Sequence, residues 1–287
     1  MCYFIKRRKV LNSLRNNFRV IENQINEVVP CCKNILKNKD WKKIQNRYID
    51  RFACIDHGNT IISSSAFIDI IIRANSKDPL AMAIIYHVKE SVKKVSLYVE
   101  SHPKFKSAFQ NILRNMIMSF DQDVCSTNND FKNWISELSV FSYLCQSPHE
   151  IIAIEKPLGN GKSADFSCKI SGSQEQYTFD VVTYQNIDPS LHQASESMNE
   201  FLNKRISEKY SHKRQNISQD DHPEFRILPI LEYKTGMEKF SYSVDSSKSL
   251  PAMVYFANTI DGKTEFCLMF LNDLCSELRT RTQGGKI

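Results

Sequence analysis

Apolar residues along the first 120 positions recur at steps of three and four, the period of an amphipathic helix. In "VLNSLRNNFRVIENQINEVV" the stripe is Val10, Leu14, Phe18, Ile21 and Ile25. Pro30 ends it, because proline has no N–H to give and its ring clashes with the preceding turn. "WKKIQNRYIDRFACI" repeats the spacing through Trp41, Ile44, Tyr48 and Phe52, and "HGNT" interrupts it. "SSSAFIDIIIRA" restarts the pattern behind a serine-rich cap. "DPLAMAIIYHVKESVKKVSLYV" and "HPKFKSAFQNILRNMIMSF" each open with a proline in the first turn, where its missing donor costs nothing. No β-rich stretch breaks this half, so the pattern predicts an all-helical region.

The polar stretch "DQDVCSTNND", 121–130, separates it from a different pattern. One helix, "FKNWISELSVFSYLC", precedes the strand "EIIAIEKPL" and two short strands within "KSADFSCKISGSQEQYTFDVVTYQ". A helix is predicted from about 190 to 212. "EFRILPILEY", "PAMVYFANTI" and "TEFCLMFL" are rich in β-branched and aromatic residues and read as strands, the last two joined by a turn at "DGK". "SYSVDSSKS", 241–249, reads as a loop. The chain thus divides into a helical, basic region over 1–125 and an α/β region over 126–287.

Charge sharpens this division. Residues 1–50 carry 12 Lys and Arg against 4 Asp and Glu, while the 287-residue chain as a whole is only +6. A basic segment of this kind suits a phosphate backbone or an acidic partner, and a solvated helix face explains it as well. The nine cysteines are scattered, form no C-x-x-C and stand at no zinc-finger spacing, which predicts reduced thiols in a cytoplasmic protein. No run is long and apolar enough to predict a membrane span, and no signal peptide is read at the start.

The candidate chemistry lies in the hairpin. Side chains alternate along a strand, so Asp165, Ser167 and Lys169 share one face, and Thr178, Asp180 and Val182 share one face of the partner. With Gly172-Ser173 as a two-residue turn, paired residue numbers sum to 345 and Asp165 falls opposite Asp180. Like charges at facing positions destabilise a sheet. A divalent cation converts that repulsion into ligation, and carboxylate oxygens are the ligands Mg²⁺ prefers. In the preceding helix Trp134, Leu138, Phe141 and Cys145 form an apolar stripe. Glu137 lies about a sixth of a turn from Trp134, at the stripe's edge. The "GNGKS" stretch at 159–163 lacks the first glycine and the following helix of a P-loop.

A helix carrying Glu137, the strand "EIIAIEKPL", Asp165 in "SADF" and Asp180-Val181-Val182 on the next strand together resemble the PD-(D/E)XK nuclease superfamily. The resemblance covers about residues 130–235. It implies a restriction-endonuclease-like α/β core with a mixed sheet flanked by helices. It also implies a Mg²⁺ (or Mn²⁺) ion held by Glu137, Asp165 and Asp180, and hydrolysis of phosphodiester bonds in nucleic acid, DNA being the expected partner. Two positions depart from the pattern: Ala164 stands where the motif proline would be, and Val182 stands where the motif lysine would be. That lysine supplies positive charge beside the developing phosphorane. Register places Lys162 as the replacement, with Lys156 and Lys204 as further candidates. The alternative is a nuclease-fold protein without catalysis that binds nucleic acid or a protein; a homo-oligomer is compatible with either.

Overall fold

The computed structural model describes residues 17–56, 66–119, 130–146, 148–172, 175–184, 187–192, 194–217, 222–260 and 263–284. Val10, Leu14, the "HGNT" break and most of "DQDVCSTNND" lie outside them, as do Ser173 and residues 261–262. The chain forms two compact units, Met1–Leu138 with Thr259–Glu265, and Ser139–Asn258 with Phe266–Ile287.

The first unit is helical: α1 (described over 17–28), α2 (Cys32–Ile35), α3 (Asn38–Asp56), α4 (Phe67–Asn75), α5 (Pro79–Ser101), a 3₁₀ turn (Pro103–Phe105) and α6 (Lys106–Met118). The predicted stripes are the buried ones: Phe18, Ile21 and Ile25 on α1, Ile44 and Tyr48 on α3. Helix α5 begins as expected, with Pro79 in its first turn and Asp78 accepting a hydrogen bond from the Ala81 N–H at 3.0 Å. At α4 the capping position is Ala66, which has no side-chain acceptor, and the serines of the expected cap lie outside the described residues. Its residues Phe67 to Ile72 are all buried, Asp69 among them. Asp69 meets Arg47 of α3 at 3.5 Å. Both side chains are almost wholly excluded from solvent, so this arginine of the basic segment faces inward.

The strands form a six-stranded mixed sheet in the order β1-β2-β3-β4-β5-β6, all of it in the second unit but the facing ends of β5 and β6. Its strands are β1 (His149–Pro157), β2 (Ser163–Ile170), β3 (Gln176–Tyr184), β4 (Phe225–Glu232), β5 (Met253–Ile260) and β6 (Lys263–Phe270). The β1–β2 and β2–β3 pairs are antiparallel, and β3–β4 and β4–β5 are parallel. Every strand expected from the pattern is present. Helix α7 (Asp130–Leu144) precedes the sheet, α8 (Ser195–Arg214) forms the crossover between β3 and β4, and α9 (Leu271–Gly284) follows β6. The sequence pattern does not predict α9. Pro229 sits in the central strand β4. The Ile227 N–H donates to Lys248 O, and β4 pairs with β5 only from Ile230 onward, so proline's missing donor falls where the ladder has a gap.

Two apolar layers cover the sheet. On one side Phe166 packs between Phe141 of α7 and Phe179, with ring centroids 5.8 and 5.7 Å apart. On the other side Met198, Leu202 and Ile206 of α8 bury against Tyr184, Phe225, Ile227 and Leu231. The buried face of α7 runs through Ile135, Leu138 and Phe141, whereas Trp134 and Cys145, the ends of the expected stripe, are half-buried.

Candidate functional site

The β2–β3 hairpin has the register that its parity dictates. Phe166 pairs with Phe179, Ser167 with Thr178, and Lys169 with Gln176. Gly172 opens the turn with φ +82°, a conformation that favours glycine. Facing side chains meet as that register requires: Ser167 Oγ and Thr178 Oγ1 are 3.1 Å apart. Lys156 donates to Thr178 Oγ1 at 3.1 Å and to Glu224 Oε1 at 2.9 Å, and that bond helps hold the Glu224 carboxyl low, at about 2, against the cost of its burial.

Toward Asp165 the ladder changes. Backbone pairing of β2 with β3 stops at Phe166–Phe179. One residue on, the Asp165 carboxylate takes over: its Oδ2 accepts from the Val181 N–H at 2.7 Å, where a strand carbonyl would otherwise be. Asp165 therefore caps an opened strand end, and the facing position on β3 is Asp180. Burial is the first reason that both carboxyls are pushed up, Asp165 to about 7. For Asp165 the second reason is the Asp180 charge beside it. Lys213 and Lys209 of α8 oppose the shift in both.

Lys213 is the cation in direct contact. Its Nζ stands 2.6 Å from Asp180 Oδ2 and donates to Ser163 O at 2.8 Å. Asp180 is only 3% exposed, and its Oδ1 has no hydrogen-bond partner among the described residues. A desolvated carboxylate oxygen without a donor is costly, and it is the feature that marks this place as a site.

The turn between β1 and β2 fixes the end of α8. Asn160 Nδ2 donates to the carbonyls of Lys213 and Gln215 at 2.9 and 2.7 Å, and the Lys162 ammonium donates to His212 O. Together they satisfy carbonyls that a helix C-terminus leaves without partners, and the Lys162 charge complements the helix dipole. "GNGKS" is thus a clamp on α8, with Gly159 and Gly161 at φ +84° and +78° making its tight path. Lys162 is engaged in this clamp. Val182 packs against the apolar cluster under α8, Lys156 is paired with Glu224, and Lys204 is exposed.

The structure therefore brings Asp165, Asp180 and Lys213 together, with Lys209 contributing charge. Glu137 is half-buried on α7. Among the described residues no group of three or more His, Cys, Asp or Glu side chains is arranged to hold a metal ion. Sequence reasoning passes over Lys213 because "YSHKRQN" reads as a solvated basic helix end. The signal that finds it is periodicity: the inward stripe Met198, Leu202, Ile206 continues at steps of three and four to Lys209 and Lys213.

Among the described residues no helix is long and apolar enough to cross a membrane. No family model matches the chain, nor does any curated protein or solved structure.

Proposed function

We propose that the chain is a Mg²⁺-dependent nuclease acting on phosphodiester bonds of nucleic acid, DNA being the expected substrate, with Lys213 in place of the lysine that Val182 replaces. The observation that carries this reading is the Asp165–Asp180–Lys213 constellation, with the buried Asp180 Oδ1 left without a donor. Its donor set fits the metal: Mg²⁺ prefers hard oxygen ligands, keeps several waters and is often bound through only one or two carboxylates plus substrate phosphate. Asp165 and Asp180 would hold it.

When bound, such an ion activates a water and offsets charge on the phosphoryl oxygens. The rest belongs to the chain. Burial raises the proton affinity of both Asp165 and Asp180, so a facing cation favours their ionised forms. Lys213, fixed by Ser163 O and by the clamp on α8, supplies a preorganised positive charge beside the carboxylates. The exposed Lys33 of α2, Lys37 between the helices, and Lys39, Lys42 and Lys43 of α3 would hold the nucleic-acid backbone without reading its sequence.

A second reading is favoured by one observation: Lys213 already neutralises Asp180 directly. In that case the fold binds nucleic acid without cutting it. Incubation of single- and double-stranded DNA with Mg²⁺ or Mn²⁺ separates the two. The nuclease reading expects metal-dependent cleavage that Lys213→Met lowers by about 10²–10³. Absence of cleavage with both metals, alongside salt-sensitive DNA binding, would establish the second reading.

A further inference from the structure

The sheet has another face, and it is built differently. A cavity of about 390 Å³ lies within the second unit, on the side away from the aspartates. Tyr177, Phe179 and Leu228 form its floor, and Tyr143 of α7 and Phe270 form its opposite wall, their rings edge to face with centroids 6.1 Å apart. Its size and its apolar, aromatic lining are those of a small-molecule site. The Cys168 thiol at the floor is pushed up to about 11 by burial and stays neutral, so it adds to the apolar surface.

Arg226 on β4 is the one Lys, Arg, Asp or Glu among the residues that line this cavity. Its Nε donates to Ser246 O at 2.9 Å, and its Nη1 donates to Pro223 O and Phe225 O at 2.7 and 2.8 Å. Backbone carbonyls therefore take three of the five guanidinium N–H groups and hold the plane fixed. The two on Nη2 have no acceptor among the described residues, and no carboxylate among them pairs with the guanidinium. Glu175 accepts a hydrogen bond from the Tyr177 hydroxyl at 2.6 Å. A guanidinium oriented by neutral carbonyls and without a counter-ion among the described residues, beside an apolar cavity, is preorganised for an anionic oxygen.

We propose that this cavity binds a small amphipathic organic anion, its aromatic or aliphatic body against Tyr143, Phe179 and Leu228 and its carboxylate on Arg226. The neutral His149 side of the cavity, where burial lowers the imidazole's proton affinity, would take the body's far end.

The test uses the full-length protein and two probes of one shape, naphthalene-2-carboxylate and naphthalen-2-ylmethanol, titrated by calorimetry at low salt. A charge-assisted hydrogen bond predicts that the carboxylate binds about tenfold or more tightly than the alcohol. Arg226→Gln should weaken carboxylate binding to the level of the alcohol and leave alcohol binding unchanged. Equal affinities of wild type for the two probes would overturn the proposal without any variant, as would the absence of binding at millimolar concentrations. Retention of the full carboxylate preference by a folded Arg226→Gln protein would overturn it too.

Discussion

Asp165 does two things at once. Its carboxylate closes a strand end through the Val181 N–H, and it stands beside the buried Asp180 carboxylate. A carboxyl raised in the folded state binds its proton more tightly there than in the unfolded chain. The stability this contributes is present below the ordinary carboxylate range and is lost as pH rises toward 7. Thermal unfolding between pH 4.5 and 8 should therefore show a loss of stability with rising pH. Asp165→Asn keeps an acceptor for Val181 and removes the charge, so it should flatten that slope, and an unchanged slope would place the titration elsewhere. Lys213→Met takes the counter-charge from Asp180 and leaves the carboxylate buried. Removal of one partner of a buried pair costs about 3–5 kcal/mol, so a marked fall in Tm is expected above pH 7, shrinking toward pH 4.5 as Asp180 takes up a proton. Val182→Lys should not restore activity to that variant, because Val182 packs against the apolar cluster under α8.

At the scale of elements, the hairpin is legible because its signals are local. Strand parity and the glycine at 172 fix the register, and the register puts Asp165 opposite Asp180. Gly172→Ala meets no steric obstacle, since open space surrounds the position, so its cost should be the backbone penalty alone, about 1–2 kcal/mol by denaturant unfolding. A larger loss would mean that the turn is coupled to the core. What the sequence does not disclose is non-local. The cation beside the opened ladder, Lys213, comes from α8, and the role of Lys162 depends on where α8 ends. The inward lysines of α8 are readable in principle from the Met198–Leu202–Ile206 stripe, but charge at its end suggests solvent. Helix α9 starts directly after β6, and Leu271, Leu274 and Cys275 are too short a stripe to stand out.

At the scale of the whole molecule, the basic first fifty residues are not a uniform surface. Arg47 is buried against Asp69, and α1 and α3 supply core side chains such as Ile25 and Ile44. Deletion of residues 1–50 would therefore remove core as well as charge, and substitution is the cleaner probe. Replacement of the exposed Lys39, Lys42 and Lys43 by Gln should weaken DNA binding and reduce the slope of log K against log salt by about 0.9 for each phosphate that is no longer neutralised. An unaltered slope would mean that these lysines only solvate the helix. The helical character of this half and the mixed sheet of the other are both readable from periodicity, since each rests on repeated local spacing.

The central claim is that Asp165 and Asp180 take up a divalent cation. Calorimetric titration of Mn²⁺ and Mg²⁺ into the protein at pH 6.5, in two buffers of different ionisation enthalpy, tests it most directly. Raised carboxyls must lose protons to ligate, so the account predicts saturable binding with proton release, abolished in Asp180→Asn. Absence of binding in the wild type, or equal binding by Asp180→Asn, would contradict it.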